Sequence, residues 1–135
     1  MIKVRPLLLI VSGATLPAPT LLASPVSLGL DFLAVTDHNT TTHHAELEKH
    51  AGLPIILHPG EEVTKYWGHA NTWGLREWVE FRCDDEDSIK SVQRWLRERG
   101  AMLSINHAKC VGPPWRFRGW DYDCMEVWQA PWRFY

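Results

Sequence analysis

Apolar residues come in short blocks along this chain, each closed by a polar or glycine-rich turn. Residues 4–11 form an apolar run, interrupted only by Arg5, with β-branched members and ended by Ser12-Gly13, which predicts a buried strand. Residues 14–28 scatter apolar positions in a helix-like way, yet Pro17, Pro19 and Pro25 each interrupt a helix there. Residues 31–36 predict a second strand, stopping abruptly at Asp37-His38-Asn39. Threonines 40–42 then offer caps for a helix to about Ala51, closed by Gly52. Residues 54–57 read as a third strand, and Pro59-Gly60 as a turn. Beyond it, residues 62–66 and 69–73 predict two short strands joined at Gly68, a possible hairpin.

The acidic stretch Asp84-Asp85-Glu86-Asp87 suits the start of a helix running to Arg99, because carboxylates there complement the helix dipole. Ile89, Val92, Trp95 and Leu96 lie on one stripe of that helix, and Gly100 ends it. Residues 101–105 and 124–128 complete the predicted strands. Strands alternating with helices imply an α/β fold with largely parallel strands, whose sites gather beyond strand C-termini. That rule singles out His38 and His107.

Composition narrows the class without changing this picture. A chain of 135 residues holds one domain. With 45% hydrophobic and 22% charged residues it has the apolar content to bury a core. A formal net charge of −2 gives no global positive field, which argues against nucleic acid or anionic lipid as a partner. Three cysteines without C-x-x-C spacing argue against a zinc ribbon and a disulfide framework, and favour a reducing, cytoplasmic setting. The start MIKVRPLLLIVSG has the outline of a signal peptide, which makes export the minority alternative, but prolines interrupt its short apolar run. No membrane span is expected.

The histidine excess, seven in all, carries the candidate chemistry. Asp37-His38, Glu61-Glu62, His69 and Asn106-His107 bring imidazoles and carboxylates at separations of 24 (62 − 38), 7 (69 − 62) and 38 (107 − 69) residues. A fold can gather such widely spaced groups, and mixed nitrogen and oxygen donors suit Zn, Mn or Fe. Taken singly, each histidine is more simply a satisfied loop residue; the set is what points to metal. His43, His44 and His50 read as a solvated helix face. His58 is open between a turn role and the metals. Trp115-Arg116-Phe117-Arg118 reads either as a stacking platform for single strands or as a packed loop lining a pocket. Trp78 and Trp95 read as core.

The segments GLDFLAVTDHN (29–39), PGEEVT (59–64), GHAN (68–71) and SINH (104–107) resemble, in order, motifs of the polymerase and histidinol phosphatase (PHP) superfamily of metal-dependent hydrolases. GPPW (112–115) and MEVW (125–128) extend the resemblance toward the branch with a tryptophan-containing loop. The resemblance implies a distorted (β/α)7 barrel of TIM-like type holding divalent ions, and hydrolysis of a small phosphoester or related ester. By position it makes His38, Glu62, His69 and His107 metal ligands, Asp37 and His107 catalytic, and Asn106 and Trp115 substrate-binding. The implied mechanism is a metal-lowered water pKa supplying hydroxide, with the ions polarising the scissile group.

The family opens with a His-x-His strand, and counting back from Gly29 places Pro6 and Leu8 there, neither of them a metal ligand. Residues 1–28 are therefore expected to be a diverged or misread segment and 29–135 a partial PHP domain, because such a barrel needs roughly 200 or more residues. An incomplete chain of this kind is expected to have reduced or no activity. The alternatives are a non-catalytic metal-binding remnant and an aromatic-rich ligand-binding module.

Overall fold

The apolar run of residues 31–36 becomes strand β1, Phe32–His38, in which Leu33, Ala34, Val35 and Thr36 are buried and the polar Asp37-His38 pair forms the last two positions. A computed structural model describes residues 26–27, 29–108, 114–117 and 121–127. The strand expected at 4–11, the segment 1–28 expected to be diverged or misread, apart from residues 26–27, and the end of the chain from 128 lie outside the described residues. After β1 come helix α1 (His44–Glu48), strands β2 (Ile56–Lys65) and β3 (Gly68–Trp73), helix α2 (Glu86–Glu98), and strands β4 (Met102–Asn106) and β5 (Cys124–Met125).

The five strands form one sheet in sequential order, and it is not closed. This corrects the expectation of a partial (β/α)7 barrel: among the described residues a small mixed sheet carries two helices, without the strand–helix alternation that a barrel needs. The reason lies in the β2–β3 connection. A turn at Tyr66-Trp67 is too short for the crossover that parallel neighbours require, so β3 runs back antiparallel to β2. The segment carrying α2 then brings β4 in antiparallel to β3, while β1 with β2 and β4 with β5 pair in parallel. Four strands thus share a direction and β3 opposes them.

Strand β2 also corrects the turn expected at Pro59-Gly60, which lies inside the strand in register with Val35 and Thr36. Glycine is required at 60 because the chains crowd there. A Cβ would fall 2.6 Å from the Thr72 carbonyl oxygen and 2.8 Å from Thr36 Cγ2. Helix α1 is shorter than expected, and the His43 that precedes it provides no side-chain cap. Helix α2 matches its expected signals. The Asp85 carboxylate accepts from the Ser88 N–H at 2.8 Å, and Asp85 N–H donates to the Ser88 hydroxyl at 3.3 Å, a reciprocal cap.

The two sheet faces differ. One is apolar and helix-covered: Leu33 and Val35 pack with Leu47 of α1, while Val63, Ala70 and Leu103 pack with Leu96 of α2. Alternation puts Thr36, Glu62, Asn71, Ser104 and Asn106 on the opposite face, and all five are buried as well. A buried sheet face made of hydroxyls, amides and a carboxylate is expensive unless something polar binds to it. No helix among the described residues is long and apolar enough to cross a membrane.

Candidate metal centre

The reversed strand is what assembles the site. His38 ends β1, Glu62 lies opposite it in register on β2, and His69 sits at the start of β3, which the hairpin returns to the same end of the sheet. His69 is in turn paired with Asn106, so His107 follows directly beyond β4. Ligand atoms of Glu62, His69 and His107 all lie within 4.8 Å of one another, and this buried group could hold a metal ion.

Glu62 is the centre of the arrangement. Its Oε1 is 3.1 Å from His69 Nδ1 and 3.9 Å from His107 Nε2, while its Oε2 is 3.3 Å from His38 Nε2. The His69 ring stacks edge-on against both His38 and His107, with centroids 5.7 and 4.7 Å apart. Burial alone would raise the Glu62 pKa, but the His69 hydrogen bond, the His38 ring and the Asn106 amide outweigh it and hold the carboxyl below its usual range. His107 moves down, chiefly through burial and then through the neighbouring His69, against the pull of Glu126 and Glu62. An ionised carboxylate beside a neutral imidazole is the protonation pattern that a metal site needs.

Three observations test whether these residues fit an ion. The donor set of two or three imidazoles and one carboxylate is the set that Zn, Mn and Fe accept. Glu62 Oε2 is buried with no hydrogen-bond partner, His38 Nε2 standing 3.3 Å away, so the carboxylate keeps an unspent donor oxygen. Tetrahedral ligands about 2.1 Å from an ion lie about 3.4 Å apart, close to the spacings seen here.

The backbone around the two outer histidines is held from outside. Asn39 has φ 54°, and its side chain accepts the Thr64 N–H at 2.8 Å and donates to the Thr64 carbonyl at 3.1 Å. Its own N–H donates to the Glu62 carbonyl at 2.9 Å, which continues the β1–β2 pairing past His38. At the other side, His107 has φ 26° and its N–H donates to Glu126 Oε2 at 2.6 Å. Sequence reasoning assigned no role to Asn39 or Glu126. An asparagine directly after a strand-terminal histidine was the available signal, since asparagine tolerates the left-handed region. Glu126 lies within the MEVW segment of the resemblance, but nothing in that segment connects its carboxylate to the backbone of His107.

Other expected site residues lie elsewhere. Asp37 alternates to the helix-covered face, where its Oδ2 is 3.3 Å from His43 Nδ1; it is not part of the ligand group. Asn106 is 1% exposed and stands beside Glu62. Trp115 packs edge-on against Trp67 at 5.4 Å and closes over Gly68, whose Cβ position would be 2.6 Å from its ring. With Phe117 also against Trp67 at 4.9 Å, this segment forms a packed loop. His43 and His44 are not a solvated face: His43 joins Asp37 to the Val35 carbonyl, and His44 is buried with ring nitrogens 2.9 Å from the Gly60 carbonyl and 3.3 Å from that of Arg76. His58 lies on β2 outside the ligand group, its Nδ1 3.3 Å from the Pro59 carbonyl. Trp78 is 40% exposed rather than core, and Trp95 is half-buried beneath Arg99.

No protein-family model matches this chain, and no curated protein matches it.

Proposed function

We propose that the protein is a metal-dependent hydrolase of the PHP type acting on a small phosphoester or related ester. The observation that supports this reading is the convergence of Glu62, His69 and His107 within 4.8 Å, with His38 3.3 Å from the same carboxylate. These are the four positions that the motif resemblance makes metal ligands. A bound Zn, Mn or Fe ion would supply Lewis acidity, lowering the pKa of water and polarising the scissile group.

The chain's own residues have separate tasks in this reading. Glu62 contributes the anionic oxygen, and His69 and His107 the neutral nitrogens. Asn39 fixes the end of β1 over β2, so that His38 stands above Glu62. Glu126 fixes the left-handed turn that aims His107. Asn106, buried beside Glu62, supports that carboxylate through its amide and, in this reading, would meet the reacting group next to it. Asp37 has no role at the metal, because its carboxylate faces His43 on the other side of the sheet.

Hydrolysis of bis(p-nitrophenyl) phosphate by the Zn- or Mn-loaded protein tests the reading, with His107→Ala and Glu62→Gln as comparisons. Turnover that falls at least tenfold in both variants supports it. Equal rates in all three proteins would leave a metal-binding protein without this catalysis.

A further inference from the structure

Two cavities stand out among the described residues, and they differ in their relation to the metal centre. The larger, about 510 Å³, lies between α1 and the start of β2 and includes none of the ligand residues. The smaller, about 380 Å³, is bordered by Asn39, Thr64, Lys65, Tyr66, His69 and Phe81. It shares His69 with the metal centre, so the two border one another at that ring.

The chemistry of this second cavity follows from which lining groups are already engaged. The Asn39 amide is spent on the Thr64 backbone. The Thr64 hydroxyl donates to the Glu62 carbonyl at 3.3 Å. Lys65 Nζ is paired with Asp84 at 2.7 Å, and His69 Nδ1 with Glu62. What the cavity offers an occupant is therefore apolar surface, chiefly the Phe81 ring and the stem of Lys65. Phe81 is backed edge-on by Trp78 at 5.7 Å, and the Arg82 guanidinium lies 5.5 Å from the Trp78 ring and 5.9 Å from the Phe81 ring. Tyr66, 89% exposed, stands at the rim with its ring uncommitted to the core. The volume is at the small end of ligand pockets, which run from about 300 Å³.

We infer that this cavity binds a flat apolar group, such as an aromatic ring, of the molecule whose reacting end meets the Glu62–His69–His107 centre. The inference rests on the proposed metal-hydrolase reading and adds the shape and polarity of the substrate's remote part. Phe81 and Tyr66 are binding residues in it, touching the remote group and not the reacting atoms.

Phenylphosphonate and methylphosphonate test it, since both carry the same metal-seeking end and neither is hydrolysed. Binding to the Zn-loaded full chain is measured by calorimetry. Phenylphosphonate is expected to bind about five- to tenfold tighter, the difference that one well-placed aromatic contact makes. In Phe81→Ala that preference is expected to vanish, while methylphosphonate and Zn affinities stay as in the wild type. Tyr66→Ala, at an exposed position that does not threaten folding, is expected to reduce the preference about twofold. Equal affinities for the two probes in the wild type would overturn the pocket while leaving the metal reading standing. So would a phenyl preference that survives both substitutions. If neither probe binds the Zn-loaded protein, both readings fall together.

Discussion

Glu61, neighbour of Glu62, alternates to the helix-covered face and is 1% exposed there. Its Oε2 accepts the Val79 N–H at 2.8 Å, and its Oε1 has no partner. Burial raises its pKa from 4.5 to about 7, opposed by the Val79 hydrogen bond and assisted by the Glu80 charge. The folded protein therefore keeps a proton that the unfolded chain has released. Stability is greatest below the unfolded pKa, falls as pH rises through the window from 4.5 to about 7, and levels off above it. The shift of 7 − 4.5 = 2.5 units, at about 1.36 kcal/mol per unit, corresponds to about 3 kcal/mol at pH 8. Glu61→Gln keeps an acceptor for Val79 and removes the charge. It is expected to be more stable than the wild type by about 2–3 kcal/mol at pH 8, with the gap closing toward pH 4.5. Urea unfolding of both proteins across that range measures the difference, in which all other titrating groups cancel. Parallel stability curves would refute the assignment of a buried, reluctant carboxyl at this position.

Three further outcomes follow from the same geometry. Gly60→Ala places a methyl against the Thr72 carbonyl and Thr36, so denaturant titration should show a loss of about 1–3 kcal/mol from overpacking. Asn71, fully buried with neither amide atom partnered, should be replaceable by an apolar residue of similar shape. Asn71→Leu is expected to stabilise the metal-free chain by about 1 kcal/mol in the same assay. Asp85→Ala removes the reciprocal cap of α2 and should cost about 1 kcal/mol, with Asp85→Asn recovering most of it.

The sequence made some of this legible for identifiable reasons. β1, α2 and β4 were readable because an apolar run bounded by polar residues, or a capped stripe, leaves few alternatives. The grouping of Glu62, His69 and His107 was readable as a set, because imidazoles at strand ends recurred together with the Glu61-Glu62 pair. The sheet's mixed direction was legible in part: the two short strands joined at Gly68 were readable as a hairpin, and β2 and β3 do pair antiparallel, whereas the overall strand–helix alternation pointed to a parallel sheet. Pro59-Gly60 misled for a tertiary reason: the glycine answers the approach of β3 rather than a change of direction. Asp37 was misplaced because adjacency in sequence to His38 means opposite faces in a strand, a consequence of the period of two that the motif alone does not carry. His43, next to no predicted ligand, could not be connected to Asp37 without the fold.

The metal centre is the claim on which the functional reading depends, and Zn titration by calorimetry tests it most directly. The wild-type chain is expected to bind Zn at a defined stoichiometry. Glu62→Gln, His69→Ala and His107→Ala are each expected to lose at least tenfold in affinity while Asp37→Asn does not. Zn binding that is unchanged by all three ligand substitutions, or absent from the folded wild type, would contradict the account.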